Sequence, residues 1–250
     1  GAIAKDGSGG NATRAWHHAG EGCVMSPELI ATSSIATLSR AMENGDTTAS
    51  DLTTACLERA EDLNPVCKAF TQVFKDTATS RAAELDHGPR RGQLHGIPYG
   101  VKDMFDCCGT LTTAGSGVLH DNIAQDDAHA VAMLNNAGAN CIGKLNLHEF
   151  AYGATGENAL FGTAFNAYDK TRLAGGSSSG SAAAVAWGLL PFALGTDTGG
   201  SVRAPAALNG LVGFKPTRGR LPEGPGAGEG WGGMAIDGFL TRSLRDTAGL

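Results

Sequence analysis

Residues 175–205 read GGSSSGSAAAVAWGLLPFALGTDTGGSVRAP, with seven Gly and five Ser around a short apolar run. The small residues of 177–189 predict a buried helix that its neighbours approach closely, and 192–194 predict a strand. Glycine allows tight turns and close approach of the main chain to a ligand, and amides beside a helix start can stabilise negative charge. The stretch therefore predicts a reaction centre on a helix and a strand.

The sequence on the N-terminal side of this stretch alternates between helical and strand patterns. Apolar spacing predicts helices over 35–45, 50–64, 76–85 and 128–137, and apolar runs predict strands over 66–74, 97–101 and 139–142. This alternation favours an α/β fold, with a central mixed or parallel sheet and helices on both faces. Lys102 would then lie at the end of a strand.

Both ends of the chain give expectations about domain organisation. Residues 1–25 are rich in Gly and polar residues without periodicity, so we expect a disordered extension or an expression remnant there, and one domain over 26–250. Ser243 and Asp246 resemble a capping box that opens a helix, although only four residues follow Asp246. We therefore expect a domain truncated at its C-terminus, which further sequence or a second chain completes.

Composition narrows the class of protein. A net charge of −6 and a pI near 5.6 argue against direct binding of nucleic acid. The six cysteines form no C-x-x-C pair, so we expect reduced thiols, no zinc site and a cytoplasmic protein. Residues 1–25 lack the apolar segment of a signal peptide, and no run of 18 apolar residues occurs, which argues against a membrane protein.

Three known motifs partly match the Gly- and Ser-rich stretch. Residues 176–180 fit the G-x-S-x-G nucleophile elbow and would make Ser178 the nucleophile, but the last histidine is His148, upstream of it. Gly175 and Gly180 have the spacing of a phosphate loop without its lysine. Residues 197–199 match half of an aspartic-protease site, and the chain has no second half.

Three ordered blocks between residues 50 and 250 resemble the amidase signature family. They are HGIPYGVKD at 95–103 with TTAGS at 112–116, a second block over 137–153, and the signature itself from 175 to 217. A weaker similarity covers TRSLRD at 241–246. The resemblance implies the amidase signature fold, a central mixed sheet flanked by helices, and a catalytic domain that normally continues well beyond this last segment.

The resemblance also implies a Ser–cis-Ser–Lys triad. By motif position its members are Lys102 as base, Ser177 as bridging residue after a cis peptide bond, and Ser201 as nucleophile. The family's oxyanion hole corresponds to the amides of Thr198, Gly199, Gly200 and Ser201. The sequence departs from many members at Ser179, where they have Gly, and this leaves the three catalytic positions intact.

The residue types suit this chemistry. A serine hydroxyl needs a base to attack a carbonyl at neutral pH, and no histidine follows the signature. Lys102 can serve only if burial lowers its pKa, and the apolar flanks Ile97, Val101 and Phe105 are consistent with such burial. We expect no metal or organic cofactor.

Other residues receive supporting or structural interpretations. We expect Ser178 to make a supporting hydrogen bond, and Asp197 and Arg203 to form a buried ion pair that shapes the loop before Ser201. Cys107 and Cys108 have no adjacent histidine and are interpreted as core or rim thiols. His95 and His148 are interpreted as structural.

The function implied is hydrolysis of a carboxamide or related C–N bond, including carbamates and urea derivatives, in a small-molecule substrate. One alternative is a glutamine-dependent amidotransferase subunit that supplies ammonia for misacylated tRNA; another is a non-catalytic scaffold. The protein could also form a homo-oligomer. Loop 224–233, with Trp231 and Met234, is a candidate wall of the substrate pocket.

Overall fold

The computed structural model describes residues 16–18, 23–25, 32–222, 224–225 and 232–250. Strands β1 to β8 and helices α1 to α7 follow one another in the pattern expected of an α/β protein. The strands are β1 Trp16–His18, β2 Cys23–Met25, β3 Phe70–Val73, β4 Pro98–Lys102, β5 Asn140–Leu145, β6 Phe192–Asp197, β7 Val212–Phe214 and β8 Ile236–Thr241. The helices are α1 Ile35–Asn44, α2 Ala49–Cys67, α3 Lys75–His87, α4 His129–Asn136, α5 Ser179–Ala186, α6 Arg203–Leu208 and α7 Leu244–Ala248.

Six of the strands form a mixed sheet in the order β3-β5-β4-β6-β8-β7. The centre is parallel, because β4 pairs with both β5 and β6 in the same direction. Antiparallel neighbours complete both sides, β3 on β5 and then β8 and β7 beyond β6. The predicted mixed sheet is confirmed, and β7 and β8 are strands that the sequence patterns did not predict.

Helices cover both faces of the sheet, as expected. Successive side chains of a strand point to opposite faces. On one face, Tyr99 donates a hydrogen bond to Asn135 of α4 at 3.0 Å and stacks on Phe192. On the other face, a Cβ added to Gly100 would lie 2.8 Å from Leu190, in the turn that follows α5. The central strand β4 is therefore enclosed on both sides, and all five of its residues are buried.

Helix α2 differs from its predicted bounds at both ends. Thr48, not Ser50, is the N-cap, and it forms a capping box with Asp51. The helix also continues through Pro65 to Cys67. Asn64 explains this continuation, because its side-chain amide bonds both the N–H and the carbonyl of Phe70, at 2.7 and 3.2 Å, and so fixes the chain after the last turn.

Helix α5 approaches the sheet more closely than larger residues would allow. Every residue from Ser179 to Val185 is buried. The N–H of Gly180 donates to the carbonyl of Asn146 at 2.8 Å, and the N–H of Asn146 donates to Ala69 at 2.8 Å. A Cβ at Gly180 would lie 2.3 Å from the Asn146 nitrogen and 2.3 Å from the Ala69 oxygen. The helix start is thus seated directly on the backbone of the sheet.

The segment 241–246 anchors the C-terminal helix to the N-terminal one. Ser243 caps α7 by accepting from the Asp246 N–H at 3.1 Å, as the sequence predicts. The Asp246 carboxylate accepts from the N–H of Ile35 at 2.8 Å, so it caps α1 across the fold. Arg242 donates to Ser33 and Leu190 carbonyls, each at 2.8 Å. The two ends of the described domain therefore hold each other.

Two expectations concern residues that the structure describes only in part. Within 1–25, β1 and β2 pair antiparallel, and the interpretation of this segment as an extension outside the domain stays a prediction. Trp231 of the predicted pocket loop lies outside the described residues, whereas Met234 is described and 62% exposed. No helix in the described ranges has the length and apolar character needed to cross a bilayer.

The packing of α5 predicts a sharp response to a single methyl group. Gly180→Ala should destabilise the protein by about 3 kcal/mol or more, because the methyl meets backbone atoms that cannot rotate away. We expect the Tm in a thermal unfolding experiment to fall by roughly 6–12 °C. Gly117→Ala is the matched control, since no atom lies within 4 Å of the added methyl. Equal Tm values for the two variants would contradict the close approach of α5.

Candidate active site

Lys102 ends β4 with its amine inside the protein. The side chain is fully buried, and Nζ lies 2.6 Å from Ser177 Oγ and 2.8 Å from Thr196 Oγ1. Burial lowers the pKa of the amine from its ordinary value to about 7, against the opposing effect of the negative charges of Asp197 and Asp237. The base expected from the sequence is therefore in place, and a substantial fraction is neutral near pH 7.

The backbone around Ser177 holds its hydroxyl against Lys102. The peptide bond between Gly176 and Ser177 is cis, as the resemblance implies. The N–H of Gly176 donates to Ala154 at 2.7 Å, and the Ser177 carbonyl accepts from His148 at 3.1 Å. A Cβ at Gly176 would lie 2.6 Å from the nitrogen of Gly156, so a larger residue would push these segments apart. The fit explains why glycine precedes Ser177.

Asp197 organises the loop that carries Ser201. Its buried carboxylate accepts backbone N–H groups from Gly200 at 2.9 Å, Val202 at 3.1 Å and Arg203 at 3.2 Å. Two further bonds come from the Arg203 guanidinium, at 3.0 and 2.9 Å. Burial alone would raise the pKa of the Asp197 carboxyl, but the hydrogen bonds from Arg203 and the amides outweigh it, so this pKa lies below its ordinary value.

The predicted ion pair of Asp197 with Arg203 forms, but it is not buried on both sides. The Asp197 side chain is fully buried, whereas the Arg203 side chain is 53% exposed. Arg203 lies at the first position of α6, at the protein surface, and reaches back to the carboxylate. The expectation of a buried pair is therefore corrected to a surface guanidinium that covers a buried carboxylate.

The four amides expected in an oxyanion hole are not equivalent. The Gly200 N–H already donates to Asp197, so it braces the loop. The amides of Thr198, Gly199 and Ser201 make no hydrogen bond to any other residue that the structure describes. These three amides are the ones available to a ligand.

A cavity of about 410 Å³ opens onto these amides and onto Ser201. Its opposite wall comes from the segment after the second short 3₁₀ turn, Glu149–Ala151, and includes Tyr152 and Ala154. Phe150 and Ala151 have φ values of 51° and 56°, a region that non-glycine residues rarely adopt. The Phe150 N–H is tied to Ala114 at 2.8 Å, which helps to hold this backbone at the cavity.

The structure brings the predicted residues together in two groups. Lys102 and Ser177 are in direct contact, and the backbone N–H of Ser178 donates to the Ser201 carbonyl at 3.1 Å. The Ser201 hydroxyl makes no hydrogen bond within the described residues, and Ser201 lines the cavity. Ser178 has the supporting role expected of it, since its hydroxyl donates to the Thr196 carbonyl at 3.3 Å.

Thr196 is a site residue that the sequence analysis did not identify. It immediately precedes Asp197 at the end of β6, and its hydroxyl accepts from Lys102. The pairing of β4 with β6 was the missing information, because it brings the two strand ends together. His95 and His148 bond to Leu85 and Thr155, which agrees with structural roles. No cluster of three or more His, Cys, Asp or Glu suited to a metal ion occurs among the described residues.

Comparison with known proteins agrees with this arrangement. The family model described as Amidase matches residues 51–250. The A-type subunit of the glutamyl-tRNA(Gln) amidotransferase from Aromatoleum aromaticum is 49% identical over 176 residues, which cover 68% of this chain and 35% of that protein. A crystal structure of an amidase superposes with a TM-score of 0.80 at 42% identity, covering 86% of this chain and 50% of the other.

A peptide amidase from Stenotrophomonas maltophilia superposes with a TM-score of 0.79 at 38% identity, covering 87% of this chain and 46% of the other. The chain thus spans half or less of the length of these three proteins. The family match covers most of the chain and includes the three sequence blocks that predicted it. On these grounds the chain belongs to the amidase family.

Proposed function

We propose that this protein hydrolyses a carboxamide or a related C–N bond through an acyl-enzyme on Ser201. The observation that carries the proposal is the 2.6 Å contact between the buried Lys102 amine and Ser177 Oγ. A lysine with a pKa of about 7 is a competent base at neutral pH, whereas an ordinary lysine is almost fully protonated there. Family membership supports the same reaction class.

The first half-reaction forms the acyl-enzyme. Neutral Lys102 accepts the Ser177 proton while Ser177 accepts the proton of Ser201, whose oxygen attacks the carbonyl carbon of the substrate. The negative charge that develops on the carbonyl oxygen is stabilised by the free amides of Thr198, Gly199 and Ser201, which face the cavity. Collapse of this intermediate breaks the C–N bond, and the amine leaves with a proton from Ser177.

The second half-reaction releases the acid. Water enters the position of the amine and attacks the acyl carbon while the same Ser177–Lys102 pair takes its proton. Asp197 keeps the three amides in place because its carboxylate holds the backbone on both sides of Ser201. The free Ser201 hydroxyl must bond to Ser177 once a substrate is seated, since apo sites often tighten on binding.

A second candidate function is ammonia release from glutamine as part of an amidotransferase. The similarity to subunits of glutamyl-tRNA(Gln) amidotransferases favours it. The chemistry on Ser201 would be the same, with glutamine as the amide and a partner chain receiving the ammonia. Glutamine-dependent ammonia release that requires a second subunit would favour this function over hydrolysis of other amides. A scaffold without activity would show neither reaction.

Replacement of the nucleophile tests the proposal directly. We expect a fluorophosphonate probe to add one label to the purified protein, detected by intact-mass spectrometry, and Ser201→Ala to abolish it. Ser179→Ala is the matched control, because this buried hydroxyl lies in the same segment and makes no hydrogen bond within the described residues. Labelling that survives in Ser201→Ala would move the nucleophile elsewhere, with Ser178 examined first.

The acidity of Lys102 predicts the pH dependence of labelling and hydrolysis. Because the neutral amine is required and its pKa is about 7, the rate should rise about tenfold per pH unit below that value and level off above it. Lys102→Met should lower the rate by about 10²–10⁴-fold and remove this dependence. The Ser179→Ala control should keep the original profile. A flat profile for the unmodified protein between about pH 5 and pH 9 would exclude Lys102 as the base.

A further inference from the structure

Three cysteines line a second cavity, of about 350 Å³, that shares no lining residue with the first. They are Cys107 and Cys108, in the loop after β4, and Cys141, in β5. Arg81 of α3 and Asp127, just before α4, also line it. The cavity is therefore a thiol-rich space on a different part of the protein from Ser201.

The backbone fixes Cys107 and Cys141 on adjacent segments. Cys141 pairs with Tyr99 in the parallel ladder of β5 and β4. The loop that contains Cys107 is held at Phe105, whose carbonyl accepts from Lys144 of β5 at 2.6 Å. The Cys107 carbonyl accepts from the N–H of Thr110 at 3.0 Å. Neither cysteine lies on a segment that is free to move away from the other.

The two thiols interact with each other and differ in acidity. A hydrogen bond between them lowers the pKa of Cys141 and raises that of Cys107, as expected when Cys107 donates to the Cys141 sulfur. The positive charge of Lys144 further favours the Cys141 thiolate. By contrast, burial raises the pKa of Cys56 to about 12 and that of Cys67 to about 11. Cys141 is also partly exposed to solvent.

We propose that Cys107 and Cys141 form a dithiol site that a hydroperoxide oxidises to a disulfide. The Cys141 thiolate attacks one oxygen of hydrogen peroxide, the O–O bond breaks, and the other oxygen leaves as hydroxide and becomes water with the proton that Cys141 gave up. Cys141 now carries a sulfenic acid. The Cys107 sulfur attacks it, the S–O bond breaks, and the hydroxyl leaves with the Cys107 proton as a second water. Two thiols lose two electrons, and one peroxide is reduced to two waters.

Cys108 is the competing thiol, and its contacts direct it away from this reaction. Its Sγ donates to the Gln125 carbonyl at 3.0 Å, and its N–H donates to Asp127 at 2.8 Å. Cys108 is exposed, and these two hydrogen bonds hold it toward the segment 125–127. We therefore assign Cys107, not Cys108, as the partner of Cys141.

The test uses the unmodified protein treated with hydrogen peroxide, quenched with N-ethylmaleimide and digested without reduction. Cleavage before aspartates separates Cys107 and Cys108, on peptide 106–120, from Cys141, on peptide 127–168. We expect these two peptides to be joined and the intact mass to fall by about 2 Da, the loss of two hydrogens. Cys56 and Cys67 serve as internal controls that stay reduced.

Single variants identify the partner. Cys108→Ser should keep the linked peptides, whereas Cys107→Ser and Cys141→Ser should each lose them. Dithiothreitol should restore the starting mass. Linked peptides that disappear in Cys108→Ser, a disulfide confined to peptide 106–120, or a mass increase on Cys108 alone would each overturn the proposal. So would peroxide treatment that leaves all three thiols reactive toward N-ethylmaleimide.

Discussion

The site depends on how closely the start of α5 can approach the sheet. Gly180 bonds to Asn146 through the backbone, and Gly176 packs against the backbone of Gly156, so no side chain separates the helix start from the strands. Ser177 lies between these two glycines. Its hydroxyl reaches Lys102 at the end of β4 only because the backbone contacts on both sides leave it no other position. The run of small residues is therefore a packing requirement before it is a chemical one.

Buried charges at the strand ends are treated in two different ways. Asp197 is surrounded by N–H donors and by Arg203, so its pKa falls despite burial and the carboxylate stays ionised. Lys102 has two hydroxyls as its nearest partners and no carboxylate of the described residues within ion-pair distance, so burial dominates and lowers its pKa. A charged carboxylate brings structural amides together, whereas a weakly supported amine yields its proton. The environments of the two groups thus suit the two tasks, loop bracing and proton transfer.

The neighbouring residue pair makes the same contrast within one strand. Asp103 follows Lys102 directly and lies 3.7 Å from Lys144, both side chains being fully buried. Lys144 also donates to the Phe105 carbonyl and the Thr112 hydroxyl. Lys144 therefore has a carboxylate and a carbonyl as partners, which Lys102 lacks among the described residues. Sequence alone could not distinguish these two lysines, because each ends or nearly ends a buried strand, and the family resemblance was needed to choose Lys102.

The local patterns predicted the elements that carry the site, and they failed where tertiary contacts decide. Helix α1 and the strand that ends at Lys102 follow from apolar spacing and from Gly45, which ends the helix with φ of 77°. Strands β7 and β8 were not predicted, since their pairing with each other and with β6 comes from distant parts of the chain. Thr196 and the occupied Gly200 amide were missed for the same reason. Each becomes visible only when β6, α5 and the Ser201 loop are assembled around Asp197.

The chemistry and the substrate preference are set by different parts of the protein. The proposed base, bridging serine, nucleophile and free amides all lie between residues 102 and 201, within the part that matches proteins of different printed function, a peptide amidase and an amidotransferase subunit. A shared reaction centre cannot by itself distinguish their substrates. In this chain the cavity wall opposite the free amides is short and includes Tyr152, whose side chain is 73% exposed. The contacts that select among amides must therefore come largely from beyond the residues that carry out the bond cleavage.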